Sequence, residues 1–442
     1  MALRDALQPG VSRRAFFFWA LYDFANSGYT TVVLTAVYSA YFVGVMTAGA
    51  SWGSLVWSST LAVSSVLVML TMPALGAWAD RYRRRGILLR VSTASCVAST
   101  AALAWVGPEM LGLAALLVVV SSYFFTVGES TIAAYLPEIA RPQALGRVSG
   151  WGWGLGYFGG MLTLGLSLVW VLGASARGET AAQAVPFTLL ITAGVFGAAA
   201  LPTLLGLHER GGATSGPSAG PAAASDRSAL ARLRQTWRSS GRLVDLRRLL
   251  VAGALYQAGI SVVIALAAVY AQQVMAFTEV QTMILIFAVN VSAACGALSF
   301  GHLQDRIGHR RALTLTLWGW VLVTVLAASG TSVGVFWLAA SLAGLCMGSS
   351  QSAGRAMLGL LAPAGRLTEY YGFWAFAGRV AAIAGPMTYG LVTWLSGGQH
   401  RLALMITGLF FVAALIVVRH IDLERGAQAA YELSSDNETA IR

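Results

Sequence analysis

Long apolar segments separated by short polar turns dominate the pattern of this chain. A membrane-spanning helix needs about 20 mostly apolar residues, and twelve segments meet that length. Six lie at about 15–43, 54–79, 87–107, 110–136, 148–172 and 185–207, and six at about 247–274, 278–301, 312–330, 333–360, 370–396 and 401–420. The pattern therefore predicts an all-α membrane protein with twelve transmembrane helices.

A short pattern of residues occurs twice, once in each half of the chain. GAWADR begins at Gly76 near the end of the second segment, and GHLQDR begins at Gly301 at the end of the eighth. More arginines follow both copies. A tight basic turn repeated about half a chain apart predicts two pseudo-symmetric six-helix bundles, the layout of a secondary transporter. We expect the bundles at 1–208 and 247–421, a linker at 209–246 and a tail at 422–442.

Composition excludes a soluble domain. Hydrophobic residues make up 57% of the chain and charged residues 11%, whereas soluble domains carry about 25% charged residues. The net charge of +11 does not indicate nucleic-acid binding, because the arginines cluster at the ends of apolar segments, as the positive-inside rule expects. We therefore expect a multi-pass protein of the inner (plasma) membrane, surrounded by lipid, with the arginine-rich turns and both termini in the cytoplasm.

The linker between the bundles has two parts. Residues 211–225 are rich in Gly, Ser, Ala and Pro and predict a flexible connection. From 228 to 248 leucines alternate with arginines, which suits a helix on the cytoplasmic membrane surface, with a solvated helix as the alternative. The tail after Asp422 is polar, and we predict that it is disordered.

Chemistry other than transport finds little support in the sequence. Cys96, Cys295 and Cys346 lie inside apolar segments without metal-ligand spacing. They are predicted to be small buried side chains, and no metal or other cofactor is expected. No nucleophile–base pair is recognisable, so we do not predict an enzyme.

The membrane region resembles the major facilitator superfamily, whose best-known signature is the doubled Gly-x-x-x-Asp-Arg turn. Within that superfamily the chain is similar to the vacuole-effluxer-like family, also called the unknown major facilitator family. The stretches that carry this resemblance are Trp19–Gly28, Leu136–Ile139 with Gly146–Gly160, and Gln351–Arg355 with Gly372–Arg379. The resemblance implies twelve helices and alternating access, and for the fungal members it implies export of amino acids from the vacuole.

Asp23 is the first candidate site residue. It lies about 10 Å inside the first predicted helix, at 1.5 Å per residue, on one polar stripe with Tyr22, Asn26 and Thr30. A carboxylate at this depth should face a cavity or a partner. We interpret it as a binder of a proton or an ammonium group, with a structural pair to an arginine as the alternative.

Arg379 is the second candidate. It lies about 15 Å deep in the eleventh predicted helix, near the middle of a bilayer core about 30 Å thick. An arginine there could pair bidentately with a substrate carboxylate. The alternative is an internal ion pair or carbonyl contact that locks helices together.

Other polar residues of the predicted helices are candidates for lining or coupling. Glu129 could carry a proton, or it could neutralise Arg147 or Arg355. Gln351 and Arg355, four residues apart, share one face of the tenth helix, and a structural role is preferred for Arg355. Polar lining or interhelical hydrogen bonds are the two interpretations of Tyr256, Gln257 and Asn290.

The two Asp-Arg turns are interpreted as parts of a cytoplasmic gate. By pseudo-symmetry, Asp80 is expected at the positive N-terminal end of helix 11 and Asp305 at that of helix 5. Arginines of the turns would pair with carboxylates and hold this side closed. These arginines are Arg81, Arg85, Arg306 and Arg310, and the carboxylates include Glu138 and Glu369. The alternative is that the arginines only enforce topology.

Together these features predict a monomeric secondary transporter that moves a small solute by alternating access. The preferred interpretation is proton-coupled efflux of an amino acid, with the carboxylate on Arg379 and the ammonium group or a proton on Asp23. Proton-coupled export of amphipathic drug-like compounds is the alternative within transport. A non-transporting receptor or lipid-handling protein on the same fold is the alternative class.

Overall fold

The computed structural model describes residues 3–50, 52–209, 243–273, 275, 277, 279–330 and 332–439. The first half holds α1 (Arg13–Tyr29), α2 (Gly53–Arg81), α3 (Arg85–Ala102), α4 (Leu111–Ala133), α5 (Leu145–Ala176) and α6 (Ala181–Gly206). The second half holds α7 (Val244–Gln273), α8 (Glu279–Ile307), α9 (His309–Ser329), α10 (Val333–Leu361), α11 (Leu367–Leu395) and α12 (His400–Val418), and α13 (Leu423–Thr439) follows.

The prediction of an all-α membrane fold is confirmed, and each of the twelve predicted segments corresponds to one of α1–α12. Eleven helices in the described part of the chain are long and apolar enough to cross a membrane. The twelfth, α11, is 29 residues long but less apolar, because Arg379 lies near its middle. It packs along α2, α7 and α12, so it belongs to the same layer of helices.

The predicted surface helix of the linker falls mostly outside the described residues, which resume at 243. The last residues of that segment, from Val244 onward, are the first turns of α7.

The outer half of the first membrane helix has an unusual geometry. After Tyr29 the chain continues in π-helical turns at Thr30–Ala36 and Phe42–Met46, with one α-helical turn at Tyr38–Tyr41 between them. π-Helical turns are rare and frequently lie at functional sites. Here they follow directly on the polar stripe that begins at Tyr22.

The prediction of a disordered tail is wrong. Residues after Asp422 form α13, whose amphipathic sequence lets it dock on the start of α7. Arg425 donates to both carboxylate oxygens of Asp245, at 2.8 Å and 2.7 Å. These hydrogen bonds, the largest effect on it, raise the pKa of Arg425 above its ordinary value. Composition alone missed this helix because its partner, Asp245, lies far away in sequence.

The two ends of the described chain lie on one face of the molecule. Near the N-terminus, the Arg141 backbone N–H donates to the Ala6 carbonyl, at 3.0 Å, in the turn between α4 and α5. Near the C-terminus, Ser434 accepts a hydrogen bond from Ala364 in the turn between α10 and α11. We call this face, with the turns at 82–84, 134–144, 308 and 362–366, the arginine-rich face.

Close helix approaches at the arginine-rich face bring the two halves into contact. A Cβ on Gly76 of α2 would lie 2.6 Å from the Thr368 carbonyl oxygen of α11. Gly150 of α5 meets the Ala297 carbonyl of α8 in the same way, and Gly301 abuts Gly146. Only glycine lets helix backbones approach this closely. The two halves are therefore closed against each other at this face.

The two Asp-Arg turns have a positive φ at corresponding positions. Arg83 in the first copy has a φ of +52° and Gly308 in the second has a φ of +90°. Both residues reverse the chain into the next helix, which starts at Arg85 or His309. A left-handed conformation favours glycine, so the second copy adopts it with less strain than the first.

Close packing inside the second half gives a test of the helix arrangement. A Cβ on Gly348 of α10 would collide with the Ala293 carbonyl of α8, whereas one on Gly334 of the same helix meets nothing within 4 Å. We expect Gly348→Val to destabilise the protein by about 1–3 kcal/mol through overpacking. Thermal unfolding of the purified protein measures this, with Gly334→Val as the matched control. Equal melting temperatures for the two variants would contradict the packing.

Candidate functional site

Arg355 of α10 inserts its guanidinium group into the first half of the protein. Its Nη1 donates to Asp23 Oδ2 at 2.6 Å, its Nε to Ser149 Oγ at 3.1 Å and its Nη2 to the Ser149 carbonyl at 2.8 Å. The guanidinium lies over the rings of Trp19 and Trp153, 5.0 Å and 5.5 Å from their centroids. We call Trp19, Asp23, Ser149, Gly152 and Trp153 the arginine socket.

The arginine socket compensates the cost of burying two charges. Asp23 and Arg355 are each 7% exposed, and a buried charge is tolerated only when it is paired and hydrogen-bonded. Cation–π contacts with two rings add about 0.5–2 kcal/mol each. Of the two interpretations of Asp23, the structure shows the ion pair to an arginine.

Local sequence explains how the socket is shaped. Trp19 is fixed because its Nε1 donates to the Ile132 carbonyl at 3.0 Å. A Cβ on Gly152 would lie 2.5 Å from Asp23 Oδ2 and 2.7 Å from Arg355 Nη2. Glycine at 152 therefore leaves the room that the guanidinium occupies.

Arg379 and Glu129 form a second charged layer beside the socket. Arg379 of α11 donates through Nη2 to Thr126 of α4, and its charge interacts with that of Glu129. Both side chains are half-buried, whereas Asp23, Ser149 and Arg355 are buried. The charges of Asp23 and Arg355 also act on Glu129, so Glu129 belongs electrostatically to both charged layers.

Arg379 keeps hydrogen-bonding capacity for a ligand. Among the described residues it forms no ion pair with a carboxylate, and Thr126 accepts from only one of its nitrogens. One predicted structural role of Glu129 was to neutralise Arg147. That prediction is wrong, because Arg147 Nε donates to Asp305 at 3.0 Å instead.

The other predicted lining residues divide into paired and accessible groups. Gln257 and Gln351 form a reciprocal amide pair, with distances of 2.9 Å and 3.2 Å. Tyr22 is fully buried, and its hydroxyl shares a hydrogen bond with Thr93. Asn290 donates to the carbonyl of Ile286 on its own helix. Thr30 is exposed, Asn26 is buried, and the buried Tyr256 hydroxyl has no partner among the described residues.

The first Asp-Arg turn joins the two halves through a helix N-terminus. Asp80 Oδ2 accepts from the backbone N–H of Glu369, in the first turn of α11, at 3.0 Å. Its Oδ1 accepts from Arg85 Nε at 2.6 Å, and Arg85 also pairs with Glu138. A carboxylate at a helix N-terminus is stabilised by the helix dipole, so Asp80 fastens α2 to α11.

The second turn makes the corresponding contact. Asp305 accepts from the backbone N–H groups of Gly146 and Arg147 at the start of α5, at 3.0 Å and 3.2 Å. The arginine that follows each turn has a different partner in the two copies. Arg310, which corresponds to Arg85, donates to the carbonyl of Ile421 at 3.1 Å instead of pairing with a carboxylate.

The partner expected for Glu369 differs in the structure. Glu369 pairs with Arg366, at 2.7 Å and 2.9 Å, rather than with an arginine of the Asp-Arg turns. Burial lowers the pKa of Arg366, but the hydrogen bonds and charge of Glu369 outweigh it, so the pKa lies above its ordinary value. Arg81 and Arg306 are exposed at the arginine-rich face, where Arg81 contacts the ring of Tyr82.

Comparison with known proteins decides the family. The profile described as "Vacuole effluxer Atg22 like" matches residues 39–146 and 142–431, most of the chain. The chain belongs to the vacuole effluxer Atg22-like family. It is a major facilitator transporter, as the predicted resemblance implied.

Proteins similar in sequence or fold to this Atg22-like chain include transporters. It is 26% identical to the uncharacterized MFS-type transporter YxiO of Bacillus subtilis over 404 residues, which are 90% of this chain and 93% of that protein. Its fold is similar to that of the human organic anion transporter MFSD10, with a TM-score of 0.72, 20% identity and coverage of 93% and 100%. A bacterial homologue of the iron transporter ferroportin in an outward-facing state has a TM-score of 0.70, 15% identity and coverage of 92% and 99%.

Several site residues of the Atg22-like chain carried no signal that sequence reasoning used. Ser149, Thr126 and Arg366 are ordinary residues whose importance comes from partners in another helix. Trp19 and Trp153 entered the sequence analysis only as members of two stretches that carry the family resemblance, whereas in the structure both rings face Arg355. Cys295 is exposed, contrary to the expectation of burial, whereas Cys96 and Cys346 are buried.

Neutralising Asp80 tests its role at the arginine-rich face. Asp80→Asn removes the charge at the N-terminus of α11, worth up to about 2 kcal/mol in partly buried geometry. We expect roughly tenfold more opening at this face, since 1.4 kcal/mol is a factor of ten. Labelling of a Ser352→Cys reporter, at a buried position between the halves, measures opening in a Cys295→Ser background. Glu179→Gln, in an exposed ion pair with Arg177, is the control, and identical labelling rates would rule out the role.

Proposed function

We propose that this protein exports a small zwitterion, such as an amino acid, in exchange for protons. Arg379 would bind the carboxylate and Glu129 would carry the coupled proton. The single observation that carries the proposal is the position of these two side chains, half-buried on facing helices of opposite halves and next to the closed socket.

The charges of the central region favour a solute without net charge. When Glu129 has released its proton, Asp23 and Glu129 balance Arg355 and Arg379 in charge. An arginine with free donors can hold a carboxylate bidentately, and each charge-assisted hydrogen bond contributes about 1.5–3 kcal/mol. A solute that brings one charge of each sign keeps the balance.

Orientation and direction follow from charge and family. We infer that the arginine-rich face is cytoplasmic, so that the protein is closed towards the cytoplasm and loading or release occurs on the opposite side. The family description, vacuole effluxer, favours export. We place the protein as a monomer in the plasma membrane, with one binding region between residues 1–208 and 247–421.

Removal of the Arg379 guanidinium tests the substrate class. Thermal shifts of the purified protein are measured with amino acids, sugars and amphipathic drugs. We expect amino acids to stabilise the wild type and to bind at least tenfold more weakly to Arg379→Ala, because a bidentate contact is lost. Arg401→Ala, at an exposed arginine, is the control. Stabilisation by drugs alone would favour a multidrug exporter, and amino-acid stabilisation that survives Arg379→Ala would exclude this site.

Neutralising Glu129 tests proton coupling. In proteoliposomes, Glu129→Gln should retain counterflow of the amino acid found in the screen but lose accumulation driven by a pH gradient, because glutamine cannot release a proton. Glu109→Gln, at an exposed position on the opposite face, should retain both. Gradient-driven accumulation that persists in Glu129→Gln would place the coupled proton elsewhere. No counterflow of any solute by the wild type would argue for a receptor or lipid-handling protein.

A further inference from the structure

Each hydrogen bond, ion pair and ring contact that the structure records for the Arg355 guanidinium comes from the opposite half. Its carboxylate, hydroxyl, carbonyl and two aromatic rings belong to α1 and α5, whereas Arg355 itself belongs to α10. Within its own half, the recorded side-chain contact of Arg355 is to its backbone: the Tyr371 hydroxyl donates to the Arg355 carbonyl at 2.8 Å. The socket is thus a receptor for a cation, and the cation is supplied by the other half.

The groups of the arginine socket can bind a cationic group whether or not it belongs to an arginine of the chain. Two aromatic faces and a carboxylate form a general binding site for organic cations. A carbonyl oxygen, from Ser149, accepts a further N–H. The Trp153 Nε1 is buried and has no hydrogen-bond partner among the described residues, so one donor remains for an acceptor beside the cationic group.

Alternating access empties the socket. When the halves separate at the arginine-rich face, Arg355 withdraws with α10, and the link from the Ser149 hydroxyl to the Ser352 carbonyl, 2.9 Å long, breaks as well. Asp23 then remains among apolar and aromatic groups without its cation. A carboxylate in such surroundings takes up a counter-ion or a proton.

We propose that the arginine socket binds the ammonium group of the transported solute when the arginine-rich face is open, and that Arg355 occupies the same place when it is closed. The solute and Arg355 compete for Asp23, so solute binding opens the lock between the halves. This inference rests on the proposed function for the identity of the solute. The socket itself is a site for a primary ammonium or guanidinium cation.

The dimensions of the socket set its selectivity. The space beside Gly152 is so narrow that even a Cβ there would lie 2.5 Å from the Asp23 carboxylate. A flat guanidinium or a slim primary ammonium fits between the indole rings and reaches that carboxylate. A tetramethylammonium ion cannot donate a hydrogen bond to it and is too bulky for the gap.

The first experiment fills the vacated socket with small cations. Arg355→Ala is titrated with ethylammonium, guanidinium, tetramethylammonium and urea, and thermal unfolding and tryptophan fluorescence are recorded. We expect ethylammonium and guanidinium to restore at least half of the lost melting temperature, and the other two to restore none. The double variant Arg355→Ala with Asp23→Asn should show no recovery. Arg366→Ala, which removes another arginine of the same face, should show no cation-specific recovery.

The second experiment uses the native lock and does not require Arg355→Ala to fold. A Thr368→Cys reporter, buried between α2 and α11, is labelled in a Cys295→Ser background. Ethylammonium should raise the labelling rate at least threefold, and tetramethylammonium at equal ionic strength should leave it unchanged. Asp23→Asn in the same background should abolish the response to ethylammonium.

The outcomes separate the socket from the proposed function. Equal responses to ethylammonium and tetramethylammonium in the second experiment, or recovery that survives Asp23→Asn in the first, would overturn the socket even if amino acids are transported. Cation-specific responses without transport of any amino acid would support the socket and reject the proposed solute.

Discussion

Among the described residues, Asp23, Glu129, Arg355 and Arg379 are charged side chains in the central part of the helices, and the low polarity of that region requires each of them to be compensated. Asp23 and Arg355 satisfy this requirement by pairing at 2.6 Å. Glu129 and Arg379 satisfy it only in part, through mutual attraction and one hydrogen bond to Thr126. Both pairs join the two halves, because Asp23 and Glu129 belong to the first half and Arg355 and Arg379 to the second. Under the proposed function, a solute or a proton that changes this charge balance would change the equilibrium between conformations.

Contacts between the halves cluster at the arginine-rich face. Asp80 and Asp305 each cap the N-terminus of a helix from the other half, and glycines bring the backbones into contact beside them. These contacts form only when the helix ends meet at one particular distance and angle. The socket adds a contact of another kind, in which one long side chain crosses the boundary. The helix caps join backbone to side chain across the boundary, and Arg355 adds an ion pair with Asp23.

In both copies of the Asp-Arg turn the aspartate caps a helix of the other half, but the arginines that follow have different partners. The first copy binds its arginine to two carboxylates, Asp80 and Glu138, whereas Arg310 in the second reaches a carbonyl next to α13. Near that carbonyl, Asp245 holds Arg425 and orders the C-terminal helix. In the first half the turn is stabilised by the loop after α4, and in the second by the end of the chain. Pseudo-symmetry therefore describes the two helix caps, but not the contacts that stabilise each turn.

Sequence by itself determined the class of protein, the twelve helices and the two halves, because apolar length and arginine position act locally and are readable along the chain. It also found the residues of the central region, since charges such as Asp23 and Arg379 are rare in apolar segments. Only the tertiary structure decided which charge meets which. Asp23 and Arg355 are 332 positions apart, and Glu129 had several arginines within its possible reach. Which carboxylate pairs with which arginine depends on the rotation of each helix and on gaps left by glycines, such as the one at Gly152. Neither property can be predicted from the sequence alone.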